Sequence, residues 1–392
     1  MMTDLWKPID AIMTQGLDDV FPAAVLWIEY GGRVRFSRAY GWLHPETRTL
    51  PVSTDTWFDL ASLTKLFTAT ALMTLAAQGR VALNEPIVNV IPEWRGMHPL
   101  QPAIDPVTKQ IQPLSPNAAG RQVDAGEVTF WHLLTHTSGL AAWVDACQGY
   151  LSEEISPEVG RTRLEAVLAA PRFVYPPGQG LVYSDVGFMV LGAAIQRLAG
   201  MPLADYLARA VLAPLGMTQI AYRPLDRGIP REQIAPTEFC AWRGRRIWGE
   251  VHDENAACLG GVAGHAGLFA TAREVARLGA CFLRGGDPIL PGALASAMVL
   301  EQAWVGNERR GLGWKLQTPD SSPIGAAFGP RSFGHTGFTG TSLWVDPDRD
   351  VIVVLLTNRV YYGRDNSGIA RVRIRLHEAV ADLIDNVSER NT

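Results

Sequence analysis

The pattern with the most chemistry in it is Ser62-Leu-Thr-Lys65, which the surrounding residues place at the start of a helix. A separation of three is close to one helical turn, so hydroxyl and amine share a face. An alcohol is a weak nucleophile until an adjacent base takes its proton. The amino terminus of the same helix offers backbone N–H groups and a positive dipole end to a developing oxyanion. A chain of this composition produces such a pair by chance in about one case in seven, so the spacing needs a second argument. Lysine scarcity supplies it: only Lys7, Lys65, Lys109 and Lys315 are lysines among 35 basic residues. Arginine, which the chain otherwise prefers, cannot give up its proton inside a protein and could not do this work.

Three more segments follow Phe58-Asp-Leu-Ala-Ser62-Leu-Thr-Lys65 in the chain: His132-Leu-Leu-Thr-His-Thr-Ser-Gly139, Pro177-Gly-Gln-Gly-Leu-Val-Tyr-Ser-Asp185 and Gly334-His-Thr-Gly337. Together they resemble, in order, the motifs of the family that contains class C β-lactamases, D-alanyl-D-alanine carboxypeptidases and family VIII esterases. The resemblance covers about residues 20–360. It implies that Tyr183 faces the nucleophile and shuttles protons. A phenol with a pKa of about 10 is a poor base unless a neighbouring ammonium favours the phenolate, and Lys65 is placed to provide one. It implies too that the strand holding His335, Thr336 and Gly337 lines the site, where glycine lets the backbone come close. The N–H of Phe338 would then complete an oxyanion hole with that of Ser62.

Two positions depart from the family pattern. Asp185 stands where the second motif has asparagine. A carboxylate there favours a protonated Lys65, leaves more of the base work to Tyr183, and removes an amide donor for a substrate carbonyl. Alternatively, Asp185 caps the helix that begins there. His335 stands where the third motif often has lysine, and a pKa of about 6.5 leaves it mostly neutral at pH 7. A fixed cation for a substrate carboxylate is then missing, which weakens the case for efficient β-lactam hydrolysis.

Elements must position these groups. Apolar spacing predicts helices over residues 4–15, 62–78, 128–140, 163–169, 185–198, 203–211, 272–283 and 369–384, with Gly79 at the end of the second. Residues 23–30 and 34–42, around Gly31-Gly32, read as a hairpin, and residues 342–345 and 351–357 read as strands around the turn Asp346-Pro-Asp-Arg-Asp350. Stretches 92–128 and 224–264 carry few periodic signals. Strands at both ends must pair to form a stable sheet. The expected fold is therefore α+β: a mainly antiparallel sheet built from both chain ends and flanked by helices. Residues 1–66 and 261–392 form that part, and residues 67–260 an inserted, mostly helical subdomain, in one catalytic unit.

Other signals are read more plainly. His132 and His136 have metal-ligand spacing on a helix, but no glutamate stands beside them as in a zinc protease, and they are taken as structural. Ser138 reads as a capping or turn residue. His252-Asp253-Glu254-Asn255 and the glycine-rich residues 261–267 either pack beside Ser62 and shape the pocket or form an ordinary turn before the next helix. Trp57, Trp143, Trp248, Trp314 and Trp344 could wall an acyl pocket, though most are expected in the core. Cys147, Cys240, Cys258 and Cys281, with no Cys-x-x-Cys, are read as buried small hydrophobes and not as a disulfide framework, zinc site or nucleophile.

A net charge of −4 gives no electrostatic footprint for nucleic acid, and no basic run marks an anionic membrane. The first ten residues carry acids and a proline where a secretory signal needs a basic and then an apolar stretch, so a cytoplasmic protein is expected unless a leader was removed. No apolar stretch is long enough to cross a bilayer. The reading is a serine hydrolase that attacks an ester or amide through an acyl-enzyme on Ser62, with no metal or organic cofactor. A small-molecule ester, amide or peptide-like compound is the expected partner. A D-alanyl-D-alanine carboxypeptidase or weak β-lactamase is the enzymatic alternative, and a non-catalytic penicillin-binding module the other.

Overall fold

The computed structural model describes residues 5–17, 19–105, 108–114, 116–147, 155–318 and 320–389. In chain order the strands of the two sheets around the site are β1 (Ala23–Tyr30), β2 (Arg33–Gly41), β3 (Phe58–Asp59), β4 (Ile220–Tyr222), β5 (Leu268–Ala270), β6 (Ala303–Val305), β7 (Glu308–Arg310), β8 (Lys315–Leu316), β9 (Phe333–Thr336), β10 (Ser342–Asp346) and β11 (Val351–Thr357). The helices are α1 (Lys7–Gly16), α2 (Thr64–Ala77), α3 (Phe130–Leu134), α4 (Pro157–Ala169), α5 (Asp185–Ala199), α6 (Leu203–Leu207), α7 (Glu254–Cys258), α8 (Ala272–Leu283), α9 (Gly292–Val299) and α10 (Gly368–Glu389).

Eight strands form one antiparallel sheet in the order β6-β7-β8-β9-β10-β11-β1-β2. The chain ends close on each other there, with Ala24 opposite Thr357 and Tyr30 opposite Val351. Successive side chains of β11 face opposite ways. Ile352, Val354 and Leu356 enter the large core shared with α2, α5 and α8. Val351, Val353 and Leu355 pack instead with Ile9 and Met13 of α1 and Leu376 and Val380 of α10. A strand covered on both faces reads as one unbroken apolar run, which is how Val351 to Leu356 reads. The α+β architecture with its mainly antiparallel sheet is as expected. A smaller sheet, β3-β5-β4, sits beside it and leads directly into the turn before α2.

Several boundaries differ. The predicted helix over 128–140 survives only as α3, because Thr129 caps it and His136 takes a left-handed backbone (φ 62°) that no helix continues through. The predicted start of the first helix at Asp4 lies outside the described residues. Sequence periodicity missed α9 and β6 to β8, whose strands are two or three residues long, too short to show alternation. The irregular stretch 92–128 contains two small ladders, Met97–Pro99 with Gln122–Asp124 and Ala103–Ile104 with Ile111–Gln112. Among the described residues no single helix is long and apolar enough to cross a membrane.

One expectation is overturned outright. Cys147 and Cys258 form a disulfide with 5.5 Å between their Cα atoms, and only Cys240 and Cys281 are free. The 111-residue separation hid the pairing, since nothing local brings the two together. A bridge closing a loop of that size stabilises by roughly 2–4 kcal/mol through the unfolded chain. Unfolded without reductant, the protein should therefore titrate two thiols and not four, and Cys147→Ser should lower the thermal midpoint by a few degrees in a calorimeter.

Candidate active site

Ser62 follows β3 by three residues, in a one-turn 3₁₀ segment, Ala61–Leu63, that runs into α2. Ala61 is held at φ 45°, a left-handed conformation that costs an L-residue about 1 kcal/mol or more. Asp59 holds the turn in place: its Oδ1 accepts the Ala61 N–H at 2.8 Å and its Oδ2 the His252 N–H at 2.7 Å. Burial pushes the Asp59 carboxyl up, against the pull of those two N–H groups.

Lys65 is wholly buried and its ammonium meets three acceptors. They are Ser62 Oγ at 3.0 Å, the His265 carbonyl at 3.1 Å and Asp185 Oδ1 at 2.7 Å. Burial alone would lower its pKa, but Asp185 and Tyr183 outweigh it and hold the amine above its ordinary value. Ser184, not Asp185, caps α5, its Oγ accepting the Gly187 N–H at 3.1 Å. The capping alternative for Asp185 therefore fails; its side chain belongs to the lysine.

The Tyr183 ring lies 4.8 Å from Lys65 Nζ. Its hydroxyl is buried and faces Ser62 and Lys65. Burial raises its pKa, Lys65 lowers it and Asp185 raises it, for a net rise. His136 lies under the ring at 4.6 Å, its Nδ1 accepting the Ser184 N–H at 3.1 Å. Burial, then Arg310 and Lys65, hold that imidazole far below its usual pKa, so it is a neutral prop. His132 closes a capping box with Thr129.

On the other side, the end of β9 is stitched to the nucleophile turn. Thr341 Oγ1 donates to the Leu60 carbonyl at 3.0 Å and Thr339 Oγ1 to that of Asp59 at 2.8 Å. A Cβ on Gly337 would lie 2.5 Å from the Leu60 oxygen, so only glycine lets the strand come this close. Ser62 and Phe338 consequently line one cavity. The Phe338 ring stacks on His252 at 5.6 Å.

His335 is buried and its Nδ1–H donates to the Thr336 carbonyl at 2.8 Å. Burial, Arg310 and Lys65 keep it well below its usual pKa and hence neutral. The expectation that the site lacks a cation is nevertheless wrong. A cavity of ≈ 360 Å³ beyond Ser62 and Thr336 is lined by Arg310 of β7, Lys315 of β8, Arg373 of α10 and, from the turn after β11, Arg359, against a single carboxylate, Glu308. Arg310 binds Glu308 through Nε and Nη2, at 3.0 and 2.5 Å, while its buried Nη1 has no partner among the described residues. Burial and the Arg359 charge push Arg373 down to about 9. Sequence reasoning missed Arg310 because β7 gave no strand signal; Lys315, one of four lysines, was the available hint.

A second cavity, ≈ 170 Å³, also opens on Ser62 and is lined by Trp143, Phe338, His252, Asp253, His265 and Ala266, among others. Both undecided segments, 252–255 and 261–267, thus pack beside Ser62. Of the tryptophans, Trp57, Trp314 and Trp344 are core, Trp248 packs edge-on to His44 at 4.8 Å, and Trp143 alone of the five walls this cavity.

The chemistry follows from who donates to whom. A charged Lys65 donates to Ser62 Oγ, so the serine's own proton is free to point at Tyr183, whose oxygen is the remaining acceptor. The resting pair is ammonium and phenol, and the reactive form has lost one proton.

The Beta-lactamase family profile matches residues 9–377 of this chain. A "Putative D-alanyl-D-alanine carboxypeptidase" of Salmonella agona (strain SL483) is 28% identical over 96% of this chain and 86% of its own, as is the protein of the same name from Salmonella typhimurium. Among solved structures, EstCE1, a hydrolase with promiscuous acyltransferase activity, superposes with a TM-score of 0.70 at 23% identity over 97% of this chain and 99% of its own. The octameric penicillin-binding protein homologue of Pyrococcus abyssi gives 0.69 at 21% identity, over 97% and 78%. These two likenesses are of fold.

Because one proton must leave the Lys65–Tyr183 pair, kcat/KM should rise with pH on the alkaline side. Asp185 raises the pKa of both groups, so Asp185→Asn should lower both and move that limb to lower pH in a pH–rate profile.

Proposed function

The chain belongs to the β-lactamase family and is a serine hydrolase, and we propose that it cleaves esters or amides whose leaving group carries a carboxylate. Arg310 is the observation that carries this reading. Its unpartnered Nη1 is buried at the edge of a cavity with four cationic groups and one carboxylate, beside Ser62 and Thr336. A buried donor left without a partner costs about 1–3 kcal/mol, which a carboxylate bound there would recover. The names of the Salmonella relatives agree with such a substrate, since a carboxypeptidase releases a residue with a free carboxylate. His335, neutral and with its Nε2 bare, contributes no charge to it.

The reaction is acyl transfer to water. Tyr183, in its phenolate form, takes the Ser62 proton as Oγ attacks the carbonyl, and the N–H groups of Ser62 and Phe338 hold the oxyanion. Tyr183 then protonates the leaving group, and water releases the acyl group in a second, parallel step. The Cys147–Cys258 bridge supports an oxidising compartment over the cytoplasmic location expected from the sequence.

Incubated with a p-nitrophenyl acyl ester, the protein should show a transient acyl adduct on Ser62 by intact mass with continuing release of p-nitrophenol, and Ser62→Ala should show neither. Between matched phenyl and 3-carboxyphenyl esters, kcat/KM should favour the carboxylate. Arg310→Gln should cut the carboxylate ester by about tenfold or more and the neutral ester by less than about twofold. Equal losses on both would count against the anion site.

A further inference from the structure

Two segments that the catalytic sequence leaves unused meet each other beside the lysine. The His265 Nε2–H donates to Asp253 Oδ1 at 2.9 Å, and the same oxygen accepts the Ala256 N–H at 2.7 Å. His265 is 1% exposed and its Nδ1 is buried without a partner, so Asp253 is the ring's one hydrogen bond among the described residues. Burial pushes the Asp253 carboxyl up, but His265 and the Ala256 N–H outweigh that and hold it well below the usual carboxylate range.

The main chain of the same loop runs along one face of α2. The Gly264 carbonyl accepts from Thr68 Oγ1 at 2.8 Å, the His265 carbonyl from Lys65 Nζ at 3.1 Å, and the Leu268 N–H donates to Thr64 Oγ1 at 3.2 Å. On its other side the loop is pressed to α5, where a Cβ on Gly264 would lie 2.1 Å from the Phe188 carbonyl. Gly261, Gly264 and Gly267 make the segment adaptable, so something has to fix it. The ring of His265 is the one long polar anchor it carries. Asp253 is in turn next to His252, whose N–H is held by Asp59 of the nucleophile turn.

We propose that Asp253 and His265 form a positioning pair: the carboxylate fixes the imidazole, and the imidazole fixes the loop so that the His265 carbonyl remains the third acceptor of the Lys65 ammonium. The pair acts through Lys65 and not on the reacting bond. An ammonium with three donors and two acceptors would turn between them and lose its aim at Ser62 Oγ. Stripped of one acceptor inside the protein, it would also be less favoured in its charged form. The charged and titratable groups around it are Asp185, Tyr183, His136 and His335; those around the pair are His252, Asp59, Lys109, Glu254 and Arg364. The inference rests on the serine-hydrolase reading.

The test is steady-state hydrolysis of p-nitrophenyl butyrate across pH by the wild type, Asp253→Ala, His265→Ala, His265→Asn and His265→Gln, with circular dichroism to confirm folding. Both alanine variants should lose at least about tenfold in kcat with KM changed less than about twofold, and their alkaline limb should move to lower pH. A glutamine amide can donate to Asp253 from nearly the position of Nε2, so His265→Gln should recover most of kcat. Asparagine is too short and should not. If Asp253→Ala fails to fold, the glutamine–asparagine contrast decides alone. An unmoved pH limb with no rescue by glutamine, or a KM effect at constant kcat, would overturn the pair's role while the wild-type adduct on Ser62 kept the hydrolase reading intact. A wild type that formed no adduct and released no product would overturn both.

Discussion

A charge taken out of water must be answered atom for atom, and the wholly buried Lys65 ammonium is the charge around which this site is built. The cost of burying an isolated ion is several kcal/mol, tolerable only with good geometry and every donor satisfied. Each of its three acceptors comes from a different place: Ser62 from the same helix, Asp185 from the start of α5, and a carbonyl from the loop before β5. The crossing of α5 over α2 is therefore as much a condition of the chemistry as the serine is. An arginine could have been accommodated electrostatically but could not have shared a proton with its neighbours.

Strain concentrates where these elements converge. Ala61, next to the nucleophile, and His136, under Tyr183, are both left-handed without being glycine. Such conformations persist only where the surroundings over-determine them. For Ala61 the surroundings are the Asp59 carboxylate and the threonines that tie β9 to the turn. For His136 they are the Ser184 N–H and the aromatic faces of Tyr183 and Phe188, at 4.6 and 5.2 Å. The nucleophile and its proton acceptor thus each stand beside a residue in that conformation.

The two sides of Ser62 differ in character. Strands β7 and β8 and helix α10 bring Arg310, Lys315 and Arg373 to one cavity, while Trp143, Lys109, Arg364 and the Asp253–His265 pair line the other, and Phe338 lines both. The Cys147–Cys258 bridge joins the segment that bears Trp143 to the helix that follows Asp253, so the second cavity has two walls under one covalent tie.

What could be read from the sequence was chemistry confined to one turn or one strand. Ser62 and Lys65 share a helical face at any tertiary structure, the run from Val351 to Leu356 needs covering on both sides, and the scarcity of lysine singles out the few that are used. The fold class followed from strands at both chain ends, because short hairpins cannot stand alone. Pairings across long separations were not legible. Cys147 with Cys258, Asp253 with His265 and Asp59 with His252 have no local signature, since each depends on which loops the core presses together. Arg310 shows the limit most clearly. Its sequence position two residues from Glu308 suggests a surface ion pair, and only the register of β7, β8 and β9 turns one of its nitrogens inward beside Ser62. Residue type fixes what a group can do; the burial imposed by the rest of the chain decides which groups meet and in which charge state they work.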